Sequence, residues 1–92
     1  MIKSFKHRGL KRLYERGDAS GIRPDLVETV GEVLAILDVS ETPYALNLPG
    51  YRLHPLKGDL KGFWSVTVRA NWRILFRFEG TDAFDVELID YH

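Results

Sequence analysis

The fold of this chain is decided by residues 63–90, FWSVTVRANWRILFRFEGTDAFDVELID, in which apolar and polar side chains alternate. Three segments, Phe63–Arg69, Trp72–Glu79 and Ala83–Ile89, follow the two-residue period of a strand that packs one face on a core. The connections between them are short and contain Asn or Gly, as tight turns require. The stretch therefore predicts an antiparallel meander.

The alternation also predicts which side chains face the core. The inward positions are Trp64, Val66, Val68, Trp72, Ile74, Phe76, Phe78, Phe84, Val86 and Leu88. Arg73, Leu75 and Arg77 project from the opposite face. Asp85 should lie across from Arg77 and form a cross-strand ion pair with it. Arg73 should pair either with an acidic residue of the last strand or with a ligand.

The first half of the chain reads as helical. Leu10, Leu13 and Tyr14 share one face of a helix over Lys6–Arg16, and Gly17 suits its C-terminal cap. A second helix should begin near Pro24 and run to about Val39, with an apolar stripe of Leu26, Val30, Val33, Leu34 and Leu37. Gly31 within it predicts a close approach of another element.

Two shorter strands complete the predicted sheet, Met1–Phe5 at an edge and Tyr51–His54 ended by Pro55. The fold class is therefore α+β, with an N-terminal strand and two helices packed on one face of an antiparallel sheet. With 92 residues, a single domain spanning 1–92 is expected.

Composition excludes several classes of protein. The chain has no cysteine, which excludes disulfides and thiolate metal sites. Its longest apolar run, Val33–Leu37, is far too short to span a membrane. Met1–Lys6 lacks the apolar stretch of a signal peptide, so we expect a cytoplasmic location.

The net charge of zero conceals alternating charged blocks. Residues 1–23 and 51–78 each carry a net charge of +5, whereas 24–50 and 79–92 each carry −5. A basic patch suits a phosphate-bearing partner such as nucleic acid. Alternatively, the basic and acidic blocks pack side by side and neutralise one another. Composition alone leaves both open.

Five residues form the candidate site: His54, Lys57, Arg73, Tyr91 and His92. Cleavage of RNA by the ribose 2′-OH needs a base, an acid and cations that stabilise the phosphorane. Histidine serves in the first two roles, and arginine and lysine serve in the third. Each residue also has a structural alternative: a strand end for His54, a solvated turn for Lys57, an ion pair for Arg73, a sheet-edge plug for Tyr91 and a frayed terminus for His92.

Other chemistries lack support in the sequence. The three histidines have no metal-ligand spacing, and no phosphate-binding glycine loop or nucleophile elbow is present. We therefore expect neither a metal nor a cofactor.

At these residues the chain resembles the HigB toxins of the RelE superfamily over essentially its full length. The fragments that carry the resemblance are IKSFKH at 2–7, GLK at 9–11, YRLHPLKGD at 51–59, WSV at 64–66, NWRI at 71–74 with Phe76, and DYH at 90–92. The resemblance implies the microbial-RNase-like fold and cleavage of mRNA in the ribosomal A site. It also implies neutralisation by a HigA antitoxin, through which alone the toxin would reach operator DNA. The same five residues are implied as catalytic.

The resemblance also implies contact with 16S ribosomal RNA. We assign RNA binding to Lys3, Lys6, Lys11, Arg12, Lys61 and Asn71, with a turn-forming role as the alternative for Asn71. Relatives often carry basic residues on the second helix, but residues 24–50 contain no Lys or Arg. This departure puts a ribosome contact by that helix in doubt. An alternative function is that of a non-catalytic partner of a DNA-binding antitoxin in operon autoregulation.

Overall fold

The computed structural model of the chain describes residues 1–91, and His92 lies outside them. Two helices precede a four-stranded antiparallel sheet of order β1-β2-β3-β4, so the predicted α+β class is confirmed. The elements are α1 (Arg8–Arg16), α2 (Val27–Val39), β1 (His54–Pro55), β2 (Phe63–Arg69), β3 (Trp72–Glu79) and β4 (Asp82–Asp90). Short 3-10 helices occupy Pro24–Leu26, Pro43–Leu46 and Gly58–Leu60.

The central strands β2 and β3 begin and end where the alternation predicted. Val66, Ile74 and Phe76 are completely buried and pack with the apolar stripes of the two helices. Trp64 and Trp72 are half-buried against this core, as expected of inward positions. The helices therefore cover one face of the sheet and leave the other face available for a site.

The predicted phase of β4 was wrong at its start, where Ala83 rather than Phe84 is buried. Leu75 pairs with Glu87, but Arg77 pairs with Phe84, so β4 has one extra residue opposite Phe76. Asp85 occupies this bulge with a φ of 55°. A β-bulge shifts the alternation by one residue, and the prediction assumed an unbroken strand.

Asp85 also makes the predicted ion pair. Its Oδ2 accepts from Arg77 Nε at 2.7 Å, and the Arg77 guanidinium lies 5.2 Å above the Phe84 ring. The backbone N–H of Asp85 donates to Ser4 Oγ at 2.8 Å. The bulge is thus held from both the neighbouring strand and the N-terminal segment.

The N-terminal segment does not form the predicted strand. Ile2 and Phe5 make two isolated parallel bridges, to Ala83 and Val86 of β4. Backbone N–H groups of Lys3 and Lys6 donate to the same two residues at 2.8 and 2.9 Å. The segment therefore covers the β4 edge without forming a continuous ladder.

The helices differ from the prediction only in detail. Helix α1 begins at Arg8, because His7 caps it through Nδ1, which accepts from Leu10 N–H at 3.2 Å. Burial lowers the pKa of His7, which favours the neutral, accepting imidazole. Gly17 ends the helix at a φ of 67°, as predicted. The expected close approach at Gly31 was wrong for the described residues, since an added Cβ there would contact none of them within 4 Å. Across residues 1–91, no helix combines the length and apolar character needed to cross a membrane.

Strand β1 lies later than predicted, at His54–Pro55 instead of Tyr51–His54. Arg52 interrupts the extended backbone with a φ of 50°. The segment still follows β2, because Thr67 N–H donates to Tyr51 O at 2.6 Å. Pro55 suits this edge strand, where its missing N–H leaves no ladder partner unpaired.

Asp38 joins the N-terminal segment to both helices. Its Oδ1 accepts from Tyr14 Oη at 2.6 Å and from Ile2 N–H at 3.0 Å. The Tyr14 hydrogen bond, followed by the Ile2 N–H, lowers the pKa of Asp38 below its ordinary 3.8. The same bond raises the pKa of Tyr14 to about 12. Both shifts favour the carboxylate bonded to a protonated phenol.

Replacing Tyr14→Phe should lower the free energy of unfolding by about 1 kcal/mol near neutral pH, the usual worth of one hydrogen bond. The depressed pKa of Asp38 means that its contribution is complete above pH 3.8 and is lost as the pH falls through the folded value. The difference between variant and wild type should therefore shrink in acid. Denaturant unfolding over a pH series measures it.

Tyr51→Phe is the matched control, because the Tyr51 hydroxyl makes an exposed hydrogen bond to Glu32 at 3.3 Å. We expect a smaller loss for this variant. Equal losses for the two variants would contradict the role assigned to Asp38.

Candidate active site

The sheet face opposite the helices forms the floor of a cleft of about 720 Å³. Ser65, Thr67 and Leu75 lie on this floor, and the segment 52–60 forms a wall. The lining residues are Arg52, Leu53, His54, Leu56, Lys57, Leu60, Ser65, Thr67, Arg73, Leu75 and Tyr91. None of these described lining residues is acidic, so the cleft is basic in a chain of zero net charge.

Four of the five predicted catalytic residues line this cleft: His54, Lys57, Arg73 and Tyr91. They come from β1, the loop after it, β3 and the end of β4. The fifth, His92, lies outside the described residues. The cleft thus gathers an imidazole, an ammonium group, a guanidinium group and a phenol from four parts of the chain.

Arg73 is oriented by the neighbouring strand. It pairs in register with Thr67 of β2, and its Nη1 donates a hydrogen bond to Thr67 Oγ1. Directly opposite residues on antiparallel strands project to the same face. Asp85, an acidic residue of β4, pairs with Arg77 and not with Arg73. The remaining guanidinium donors of Arg73 can thus serve a ligand in the cleft.

Tyr91 is held beside Arg73 by its backbone. Its N–H donates to Asn71 O at 2.8 Å, which extends the β3–β4 ladder by one step beyond Trp72 and Asp90. The Arg73 guanidinium carbon lies 5.7 Å from the centre of the Tyr91 ring, within cation–π range. Tyr91 is 52% exposed, so its ring is accessible to a ligand.

His54 and Lys57 lie on the edge of the sheet. His54 pairs with Ser65 and therefore projects to the cleft face. Lys57 directly precedes the 3-10 helix Gly58–Leu60. Both side chains are exposed, and neither forms an ion pair or a side-chain hydrogen bond within residues 1–91. They are positioned to act on a ligand and have no structural partner there.

The predicted RNA-binding residues lie outside the cleft. Lys11 and Arg12 line a second depression of about 360 Å³ on α1, together with Arg8, Glu15 and Arg16. Lys6 Nζ lies 5.2 Å from the centre of the Phe63 ring. Lys3 and Lys61 are exposed.

Asn71 lies in the turn between β2 and β3, the position that the turn-forming alternative predicted for it. Its carbonyl accepts from Tyr91, whereas the turn's positive φ of 50° falls on Ala70. Asn71 is exposed beside the cleft without lining it.

The sequence interpretation missed three polar residues that line the cleft: Arg52, Ser65 and Thr67. Alternation had placed Ser65 and Thr67 on the outward face, which was a usable signal. For Arg52, the only signal in the sequence was its position two residues before His54. Its entry into the cleft depends on the local backbone conformation and was not predictable from a period.

The site contains groups for proton transfer and for phosphate binding. Within residues 1–91, no group of three His, Cys, Asp or Glu residues could hold a metal ion. Arginine binds phosphate oxygens through paired donors, lysine adds a point charge, and imidazole moves protons near neutral pH. Phosphodiester chemistry is the reaction class that this set fits.

The architecture is that of a RelE-like toxin. A chain of the YoeB–YefM complex from Staphylococcus aureus superposes with a TM-score of 0.63, and the match covers 100% of this chain and 98% of that chain at 14% identity. At this identity the likeness shows the fold alone.

The chain belongs to the HigB-like toxin family, the RelE-like toxins of type II toxin–antitoxin systems, whose family model matches residues 3–92. It is 50% identical over 92 residues to the endoribonuclease HigB of Proteus vulgaris, and the match covers 100% of both chains. It is 31% identical over 80 residues to toxin HigB-1 of Vibrio cholerae, covering 85% of this chain and 84% of that protein.

The hydrogen bond from Arg73 to Thr67 predicts that Thr67 keeps the Arg73 side chain ordered. Thr67→Val keeps the shape of the residue but removes the acceptor, so the Arg73 guanidinium should lose its hydrogen-bonded orientation. Thr67→Ser should retain it. Side-chain N–H signals of ¹⁵N-labelled arginine report the difference, and an unchanged Arg73 signal in Thr67→Val would contradict the assignment.

Proposed function

We propose that this endoribonuclease toxin cleaves mRNA in the ribosomal A site by attack of a ribose 2′-OH on the adjacent phosphate, without a metal ion. The observation that carries the proposal is the basic cleft in which His54, Lys57, Arg73 and Tyr91 meet. The full-length relative at 50% identity, named an endoribonuclease, supports the reaction class.

In the proposed mechanism, His92 is the main acid–base residue, and His54 complements it. One imidazole removes the 2′ proton, and the other protonates the departing 5′-oxygen. A general acid or base typically contributes about 10²–10⁴ to a rate, so the histidines are assigned a large share of catalysis.

Lys57 and Arg73 would stabilise the negative charge that develops on the phosphorane. Arg73 can donate two hydrogen bonds to phosphate oxygens, and Thr67 fixes its orientation before RNA binds. Tyr91 would stack on a base or position a phosphate. Its ring lies against the Arg73 guanidinium, so the two residues would contact the same nucleotide.

The ribosome would supply the RNA geometry that the toxin alone lacks. None of the described residues that line the cleft is a strong base, so we expect that the mRNA must arrive already bent for in-line attack. Lys3, Lys6, Lys11, Arg12 and Lys61 are exposed and would contact 16S ribosomal RNA. The acidic α2, with Glu28 and Glu32 exposed, is unsuited to that contact.

Ribosomes programmed with a defined mRNA test the proposal directly. Purified protein should cut the mRNA in the A-site codon and leave a 2′,3′-cyclic phosphate or its hydrolysis product. The same transcript without ribosomes should remain intact at that enzyme concentration. Efficient degradation of the free transcript would identify a general ribonuclease, and no cutting in either arm would refute the proposed function.

Removing the proposed acid–base residue should abolish most of the activity. His92→Ala is expected to reduce the cleavage rate on programmed ribosomes by about 10²–10⁴, and His54→Ala should also reduce it. Arg69→Ala serves as a control for general charge and handling effects, because Arg69 lies at the end of β2 near Asp25 and away from the cleft. Full cleavage by His92→Ala would refute its assigned role.

The antitoxin partner is proposed to be of the HigA type. The surface that favours such binding combines the acidic segment 24–50 with exposed apolar side chains, since Val39 is 80% and Tyr44 66% exposed. A non-catalytic role in operon autoregulation is the second candidate function. A toxin inactivated at His92 that still binds a HigA-type antitoxin and alters operator occupancy would establish this role separately from cleavage.

A further inference from the structure

Arg52 combines an unusual backbone with a place in the cleft. Its φ of 50° lies in the left-handed region that residues other than glycine adopt at a cost. The side chain lines the cleft and is exposed. Such backbone conformations persist where the surrounding structure fixes them, and they concentrate at functional sites.

The surrounding structure does fix this residue. Tyr51 O accepts from Thr67 N–H at 2.6 Å on one side, and His54 pairs with Ser65 on the other. Arg52 is thus tethered between two points of β2. Within residues 1–91, its guanidinium makes no ion pair, hydrogen bond or aromatic contact, so it has no structural partner there.

The pairing also determines what Arg52 lies beside. The Tyr51–Thr67 hydrogen bond places this segment alongside Thr67, and Thr67 pairs on its other side with Arg73. Adjacent strands lie about 4.8 Å apart, so Arg52 and Arg73 approach Thr67 from opposite sides of the cleft floor. Arg52 and Arg73 therefore line the same cleft from the two chain segments that flank Thr67.

We propose that Arg52 binds the RNA phosphate next to the one contacted by Arg73, and so holds the strand across the cleft. This inference rests on the proposed function. Arginine suits the task because its planar guanidinium grips two phosphate oxygens at once. Arg52 acts in substrate binding, whereas proton transfer remains with the histidines.

Glycine provides an informative substitution at this position. Arg52→Gly removes the charge and also relieves the left-handed backbone, so the variant should melt at or above the wild-type temperature. A merely structural arginine would give the opposite result. Arg52→Lys keeps the charge on the same backbone, and Arg69→Ala removes an equal charge outside the cleft.

Binding is measured on ribosomes carrying mRNA with a 2′-O-methyl group at the A-site codon, which blocks attack without removing a phosphate. Arg52→Gly should weaken binding by about tenfold, the scale of one charged hydrogen bond. It should also reduce the slope of log affinity against log salt by about 0.7, as loss of one single-strand phosphate contact does. Arg69→Ala should stay close to wild type. Arg52→Lys keeps the charge but not the paired donors, so its affinity should lie between wild type and Arg52→Gly while its salt slope stays at the wild-type value.

Two results would overturn the inference. Arg52→Gly could bind and cleave as well as wild type, or Arg69→Ala could weaken binding and salt dependence by the same amounts. Failure of the wild-type protein to cut unmodified programmed mRNA is a separate result, which removes the proposed function itself and the inference with it.

Discussion

Two helices cover only one face of the sheet, and the site depends on how the other face is closed. Ser65 is 6% exposed and Leu75 4% exposed, although both project away from the helices. They line the cleft together with the segment 52–60, which forms its wall. Backbone hydrogen bonds from Thr67 N–H to Tyr51 O and from Leu56 N–H to Phe63 O hold that segment along β2. A few edge hydrogen bonds therefore convert an open sheet face into a cleft.

The strands that the sequence predicted best are those with neighbours on both sides. Both bounds of β2 and of β3 were predicted, and the alternation follows the pairing over most of each strand, although β2 shifts register between Thr67 and Arg69. The prediction failed where pairing is irregular. Asp85 introduces an extra residue into β4, and Arg52 breaks the extended backbone before β1. The positive φ of these two residues could not be predicted from their types. Arginine rarely adopts a positive φ, and aspartate occurs in many other conformations.

Residue chemistry predicted which residues line the candidate site better than it predicted which residues hold them in position. His54, Lys57, Arg73 and Tyr91 were selected for what imidazole, cations and phenol can do to a phosphodiester, and the structure places all four in one cleft. Thr67 was not selected, because a threonine in a strand is ordinarily unremarkable. Its hydrogen bond to Arg73 follows from cross-strand register, which pairs residues six positions apart in the chain. Register is a property of the assembled sheet and is not visible in any single strand.

The charge blocks of the sequence are neutralised only in part. Arg77 pairs with both Glu79 and Asp85, and Arg23 pairs with Asp25, so some basic residues are neutralised within their own neighbourhood. Arg52 and Lys57 form no ion pair within residues 1–91, and no described residue lining the cleft is acidic.

Exposed ion pairs add little to stability, about 0–1 kcal/mol each. Their main effect in this chain is to determine which cations remain without an acidic partner. The cations without an ion pair in the described part of the chain include three that line the cleft and four on α1: Arg52, Lys57 and Arg73, and Arg8, Lys11, Arg12 and Arg16. A chain with no net charge can therefore present a local positive potential to RNA at the cleft and along α1.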